Sequence, residues 1–145
     1  MLRFLPIAAV LLSSIVVHAQ AADSTAVRMA YNYMSNDMTT CTVFYKLSGR
    51  CLGKDNPELS EQIEKAASIM ANLAVLTGKR AGLEDDALVA RTNTQMTKLQ
   101  AQTGRDCDNF AVLLDRYGER CKSLASHPQD AFQRVLNRVM EANPQ

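Results

Sequence analysis

Beyond residue 23 the apolar side chains return every three or four positions, and no stretch alternates for long at two, which is the period of helices and not of strands. The first predicted helix begins near Asp23 or Ser24, either of which can accept from the opening backbone donors. It sets Val27, Ala30, Tyr31, Met34, Met38, Cys41, Phe44, Tyr45 and Leu47 on one broad face and stops at Gly49. The second opens with Asn56 as cap and Pro57 in the first turn, where a missing donor costs nothing, with Glu58 and Glu61 against the positive helix end. Its stripe is Leu59, Ile63, Ala66, Ala67, Met70, Leu73 and Leu76; Glu61 and Lys65 are spaced to pair on the wet side, and Gly78, Lys79 and Arg80 end it.

The third helix opens at Glu84, Asp85 and Asp86 and runs to about Thr103 on a thin stripe of Leu88, Val89, Met96 and Leu99, so it is expected to be the most exposed and the loosest. In the fourth, Cys107, Phe110, Leu114, Tyr117, Cys121 and Leu124 step by three and four, a packing seam. A short fifth helix starts at Pro128 and carries Phe132, Val135, Leu136, Val139 and Met140, with Asn143 to Gln145 frayed. Five of the six glycines fall between these stretches as punctuation; Gly118 lies inside one and marks a close helix approach. The expected architecture is all-α: an up-down bundle of four main helices with the fifth across one end.

The first 22 residues follow a different pattern. Arg3 supplies a positive charge, Phe4 to Val17 is an apolar run broken by Pro6, Ser13 and Ser14, and small residues follow through Ala22. Basic start, short apolar centre and small-x-small exit describe a secretory signal peptide, residues 1–21, leaving a single helical domain over 22–145. Two exits fit, after Ala19 and after Ala21, and the second is preferred. The run is shorter than the roughly 20 residues a spanning helix needs, so stable membrane insertion after cleavage is not expected. No cysteine sits at the leader's end to carry a lipid.

Charge narrows the classes further. Loss of Arg3 with the leader leaves 15 basic against 15 acidic side chains, a balance that disfavours nucleic acid and an anionic membrane surface as partners. Tryptophan is absent and aromatics are few, which argues against a sugar-stacking platform.

An exported chain's cysteines read as disulfides, and there are four: Cys41, Cys51, Cys107 and Cys121. On one helix Cys107 and Cys121 stand about 21 Å apart, against the roughly 7 Å a disulfide tolerates, so each must reach Cys41 or Cys51. An up-down bundle makes the first and fourth helices antiparallel and favours Cys41 with Cys121 and Cys51 with Cys107; the parallel set, Cys41 with Cys107 and Cys51 with Cys121, needs a crossover. Ten residues must then match fourteen, a misfit that helix tilt or an extended end of the first helix would absorb. A faint echo between Cys41 to Phe44 and Cys107 to Phe110 agrees with the antiparallel choice. Closing the first such loop is worth roughly 4 kcal/mol on the chain-entropy model. No Cys-x-x-Cys pair suggests a redox relay.

The chain nominates no catalytic residue, metal ligand or cofactor. His127, the one histidine after the leader, stands beside Pro128 as a cap or solvated side chain, and the Glu84–Asp86 cluster and Asp106 with Asp108 suit helix N-termini. One surface is a candidate: Met29, Tyr33, Thr40 and Val43 form a second line on the first helix, of residue types common in contact surfaces. The expected function is that of a non-catalytic periplasmic or secreted protein that binds another exported or envelope protein, as inhibitors, immunity proteins and envelope accessory subunits do. A carrier or sensor of a small apolar ligand, lined by Met34, Met38, Met70 and Met96, is the alternative, and a small cell-envelope hydrolase the second.

Overall fold

Among the described residues the computed structural model holds five helices and no strand: α1 (Val10–Leu52), α2 (Pro57–Arg80), α3 (Asp85–Thr103), α4 (Phe110–Ser126) and α5 (Pro128–Ala142). The structure describes residues 10–53, 56–104 and 107–143, with side chains from Ser24 onward. The basic start of the leader, the side chains at both cleavage exits, the Asp23 cap, Asp106 and the last two residues lie outside the described residues. Among those described, no helix is long and apolar enough to cross a membrane.

The first helix does not start at Ser24. It runs unbroken from Val10, because no glycine or proline stands between Pro6 and Gly49 to interrupt it in the joined chain. It also passes Gly49 and ends at Leu52. α1 is the axis of the molecule and touches all four other helices. From Met34 to Ser48 it is buried on nearly every side: Met34, Met38, Cys41, Val43, Phe44 and Leu47 are joined by the polar Ser35, Thr39, Thr42 and Ser48. Buried hydroxyls need partners. Thr39, Thr42 and Ser48 donate to carbonyls four residues back, and Ser35 donates across to the Ala74 carbonyl at 2.9 Å.

α2 begins as its sequence dictates, with the Asn56 side chain accepting from the Leu59 amide at 3.0 Å and Pro57 in the first turn. Glu61 and Lys65 pair at 2.7 Å on its exposed side. Its buried stripe differs from the expected one. Leu76 is half exposed, while Ala74, Thr77 and Gly78 face α1. Small residues win these positions because α1 approaches closely: a methyl on Gly78 would meet the Ser35 hydroxyl at 2.9 Å and overlap the Leu88 side chain. Gly78 is therefore a packing residue inside the helix and not its terminator. The stop is a Schellman turn, in which Gly82 (φ +82) and Leu83 donate to the Lys79 and Gly78 carbonyls.

α3 starts at Asp85 after Glu84 and buries only Leu88, Leu99 and Thr103, while Val89 points to solvent. Polar contacts hold it beside α1. The Arg91 guanidinium donates to the Asn32 side chain at 2.7 Å and backbone at 3.3 Å, and one turn on Gln95 donates to Asn36 at 3.2 Å.

α4 supplies the second correction. The helix begins at Phe110, and Cys107 lies in the preceding turn with φ +65. The buried seam is Phe110, Leu113, Tyr117, Cys121 and Leu124; Leu113 is fully enclosed and Leu114 half exposed. A seam anchored at Cys107 selects Leu114, whereas one anchored at Phe110 selects Leu113. Gly118 marks no close approach, since a methyl there would meet only Leu114 of its own helix.

Cys41 is joined to Cys121 and Cys51 to Cys107, the antiparallel set. The expected misfit of ten residues against fourteen disappears. From Cys41 to Cys51 α1 rises about 15 Å, and from Phe110 to Cys121 α4 rises about 16 Å at 1.5 Å per residue. The surplus residues are spent in the turn at Cys107, so α1 has no need to unwind.

α5 is nearly as long as α4 and lies along α1 as well as α4, with Tyr31 against Phe132 at 4.6 Å between ring centroids. The Arg80 guanidinium also stands over that tyrosine, 5.4 Å from its centroid, and donates to its hydroxyl. Buried residues from all five helices form one cluster.

Two glycine substitutions should move stability in opposite directions. Gly118→Ala removes a helix-interior glycine without a clash and should stabilise by about 0.5–1 kcal/mol. Gly78→Ala gains the same propensity but must displace Leu88 and the bonded Ser35 hydroxyl, for a net loss of about 1–2 kcal/mol. Urea melts of the two variants measure both. Mild reduction followed by alkylation should open Cys51–Cys107 first, since both its cysteines are half-buried, whereas Cys41 and Cys121 are core residues.

Candidate functional site

Met29, Tyr33 and Asp37 succeed one another every four residues on α1 and so line one side of the helix. Facing them are Arg120 of α4 and Arg134, Val135, Arg138 and Val139 of α5. Together they enclose an open groove made of two adjoining hollows, of about 290 and 320 Å³, that share Asp37, Arg120, Val135 and Arg138. The floor is apolar, because Val135 and Val139 are buried and Met29 is half-buried. The rim is charged. Tyr33 stands at the edge with 54% of its surface exposed, a large aromatic available for contact.

One ion pair crosses the groove: the Arg120 guanidinium lies 2.6 Å from the Asp37 carboxylate, whose side chain is 25% exposed. With both groups partly solvated, the pair contributes at most about 1 kcal/mol to stability. Arg134 and Arg138 stand one turn apart on α5. Among the described residues neither has a carboxylate within ion-pair distance, and the Arg138 Nε donates only to the Arg134 carbonyl at 3.4 Å. The groove therefore presents three guanidiniums against one carboxylate.

Of the four residues expected on a second α1 line, the structure brings Met29 and Tyr33 into this groove and leaves the other two out. Val43 is fully buried in the core, and the half-buried Thr40 donates its hydroxyl to the Asn36 carbonyl. The line leaves the surface where α1 enters the centre of the bundle. Asp37, Arg120, Arg134 and Arg138 were not singled out from sequence. The two α5 arginines carry a readable signal, an i, i+4 pair of like charges on one helix, which repel unless something else lies between them. Which helix would face them is a matter of tertiary packing.

The remaining candidate residues lie apart. Met34, Met38 and Met70 are core residues and Met96 packs half-buried against them. His127 is exposed between α4 and α5, and its side chain makes no cap bond. Glu84 occupies the cap position of α3 without a side-chain bond, while Asp85 meets Lys79 at 2.8 Å and its hydrogen bond raises the lysine's pKa. Among the described residues no three His, Cys, Asp or Glu side chains gather as a metal site would. Burial raises the Tyr45 hydroxyl's pKa and lowers that of the Arg91 guanidinium, and neither group belongs to the groove. Comparison of the chain with protein-family models, with curated proteins and with solved structures finds no match.

Tyr33→Asp should leave helicity unchanged and stability within about 0.5 kcal/mol of the parent, as at other exposed positions. Val43→Asp, which places a charge in the core, should prevent cooperative folding. Circular dichroism melts of the two variants check the division of the line.

Proposed function

We propose that this chain is a non-catalytic exported protein that works by binding another protein of its compartment, and that the α1/α4/α5 groove is the docking face. Export is supported by the leader's order of charge, apolar run and small residues together with two disulfides, which persist in oxidising compartments. Docking is supported above all by Tyr33, an exposed aromatic beside an apolar floor and a rim of arginines. Aromatic, methionine and arginine side chains are the types enriched where proteins meet, and lysine is depleted there. Tyr33, Met29, Met34 and the three arginines of the groove belong to that set, and among the described residues no lysine lines it.

A binding module requires a rigid frame more than reactive groups. The staples and the shared core hold α1 and α4, and with them Tyr33 and Arg120, in fixed relation before any partner arrives, which lowers the ordering cost of association.

The intact mass of the natively exported protein should begin at Ala22, or at Gln20 for the earlier exit, and be four hydrogens lighter than after reduction. A full-length mass with four alkylatable thiols would refute export. A photo-crosslinking residue in place of Tyr33 should yield a discrete heteromeric product in the exporting cell, while the same residue in place of the exposed Ser68 on α2 should not. No product at Tyr33, or equal products at both positions, would exclude the groove as the docking face.

A further inference from the structure

We infer that the groove is built for one class of occupant: an acidic, amphipathic segment of the partner, its carboxylates meeting Arg134 and Arg138 and its apolar side chains lying over Val135, Val139 and Met29. The inference rests on the docking reading above and adds the partner's chemistry to it. Arg134 and Arg138 are about 6 Å apart along α5, one helical turn. That is also the spacing of carboxylates at i and i+4 on a facing helix. Guanidinium forks match carboxylates in a bidentate geometry that an ammonium cannot reproduce. Within this chain Lys46, Lys65 and Lys79 already meet carboxylates of their own, at 3.4, 2.7 and 2.8 Å. The two α5 guanidiniums do not.

The apolar floor decides against a free inorganic anion as the occupant. Such an ion would gain nothing from Val135, Val139 and Met29 and would need a closed polar cradle, whereas the groove is open along its length. A segment with apolar side chains between its acids uses both surfaces. Asp37 gives the arrangement an internal competitor. Its carboxylate occupies Arg120 at 2.6 Å, so a partner's carboxylate must share that guanidinium or be repelled by Asp37. Removing the Asp37 charge should therefore strengthen binding, an effect opposite in sign to that expected of a residue that only supports the fold.

The test uses the Tyr33 crosslinker in the full exported chain, in three backgrounds: otherwise unchanged, Arg134→Glu with Arg138→Glu, and Asp37→Asn. Mass spectrometry should map the product to a partner segment with two or more Asp or Glu interleaved with apolar residues. Double charge reversal should lower the yield by at least about tenfold, and Asp37→Asn should raise it a few-fold, with added NaCl lowering both. The reversed variant should stay folded and melt within a few degrees of the parent, since both guanidiniums are exposed and the repulsion added beside Asp130 and Glu141 is small. An Arg134→Gln, Arg138→Gln variant, which adds no repulsion, should match the parent's melting temperature while also losing product. A crosslinked segment without carboxylates, or a yield indifferent to charge reversal, would overturn the inference while leaving the docking face in place. Loss of the product on adding inorganic phosphate at constant ionic strength would make this a small-anion site and overturn it as well. Absence of any product in all three backgrounds would refute the docking reading itself.

Discussion

The structure depends on enclosing the middle of α1. A helix ordinarily buries one stripe and leaves the rest to water. Between Met34 and Ser48 this one buries nearly its whole circumference, including four hydroxyl side chains. The enclosure is tolerable because three of those hydroxyls turn back onto α1's own carbonyls and the fourth reaches the Ala74 carbonyl of α2. Everything else follows from supplying enough surface to surround that segment. α2 comes closest, through its small residues; α3 approaches through an asparagine, arginine and glutamine seam; α4 is tied by sulfur; and α5 closes what is left. The groove is the place where this enclosure is incomplete, toward the N-terminal side of the buried stretch.

Legibility in the sequence tracked how local the deciding physics was. The cap at Asn56, the proline at 57, the Glu61–Lys65 pair and the helical class depend on neighbours within one turn, and all could be read before any packing was known. The cysteine pairing was legible for another reason: distance along a helix excludes one connectivity and topology favours one of the two that remain. What failed was everything set by a neighbouring helix. Ser35, Thr39 and Thr42 were absent from the expected core, because their partners are backbone carbonyls that leave no trace in a hydropathy pattern. Leu113 and Leu114 are equivalent in composition, and only the position of the α4 start separates them. Gly78 looks like a terminator unless the approach of Ser35 and Leu88 is known.

The groove was half legible. Met29 and Tyr33 drew attention as apolar residues off the main face of α1, a signal intrinsic to one helix. Their counterparts on α4 and α5 are arginines at solvent-facing positions, indistinguishable in sequence from any charged helix surface. A net charge near zero concealed them further, since balance over a whole chain says nothing about how charges are distributed. Asp130 and Glu141 stand within a turn of Arg134 and Arg138 on α5, yet among the described residues neither closes to ion-pair distance.

The order of the two disulfides along the chain has a consequence for the groove's mechanics. They are concentric: the ring closed through Cys41 and Cys121 contains the ring closed through Cys51 and Cys107. α2, α3 and most of α4 are therefore inside covalent circuits, and the α1 and α4 walls of the groove are riveted together by the outer one. α5 begins after that circuit has closed. It is attached by a single peptide junction at His127 and otherwise by contacts such as Tyr31 with Phe132 and the burial of Val135 and Val139. No disulfide adds to those contacts, so they alone set its opening free energy. The groove thus has one jaw tied by sulfur, like a vice body, and one held by packing alone, and the second carries Arg134 and Arg138.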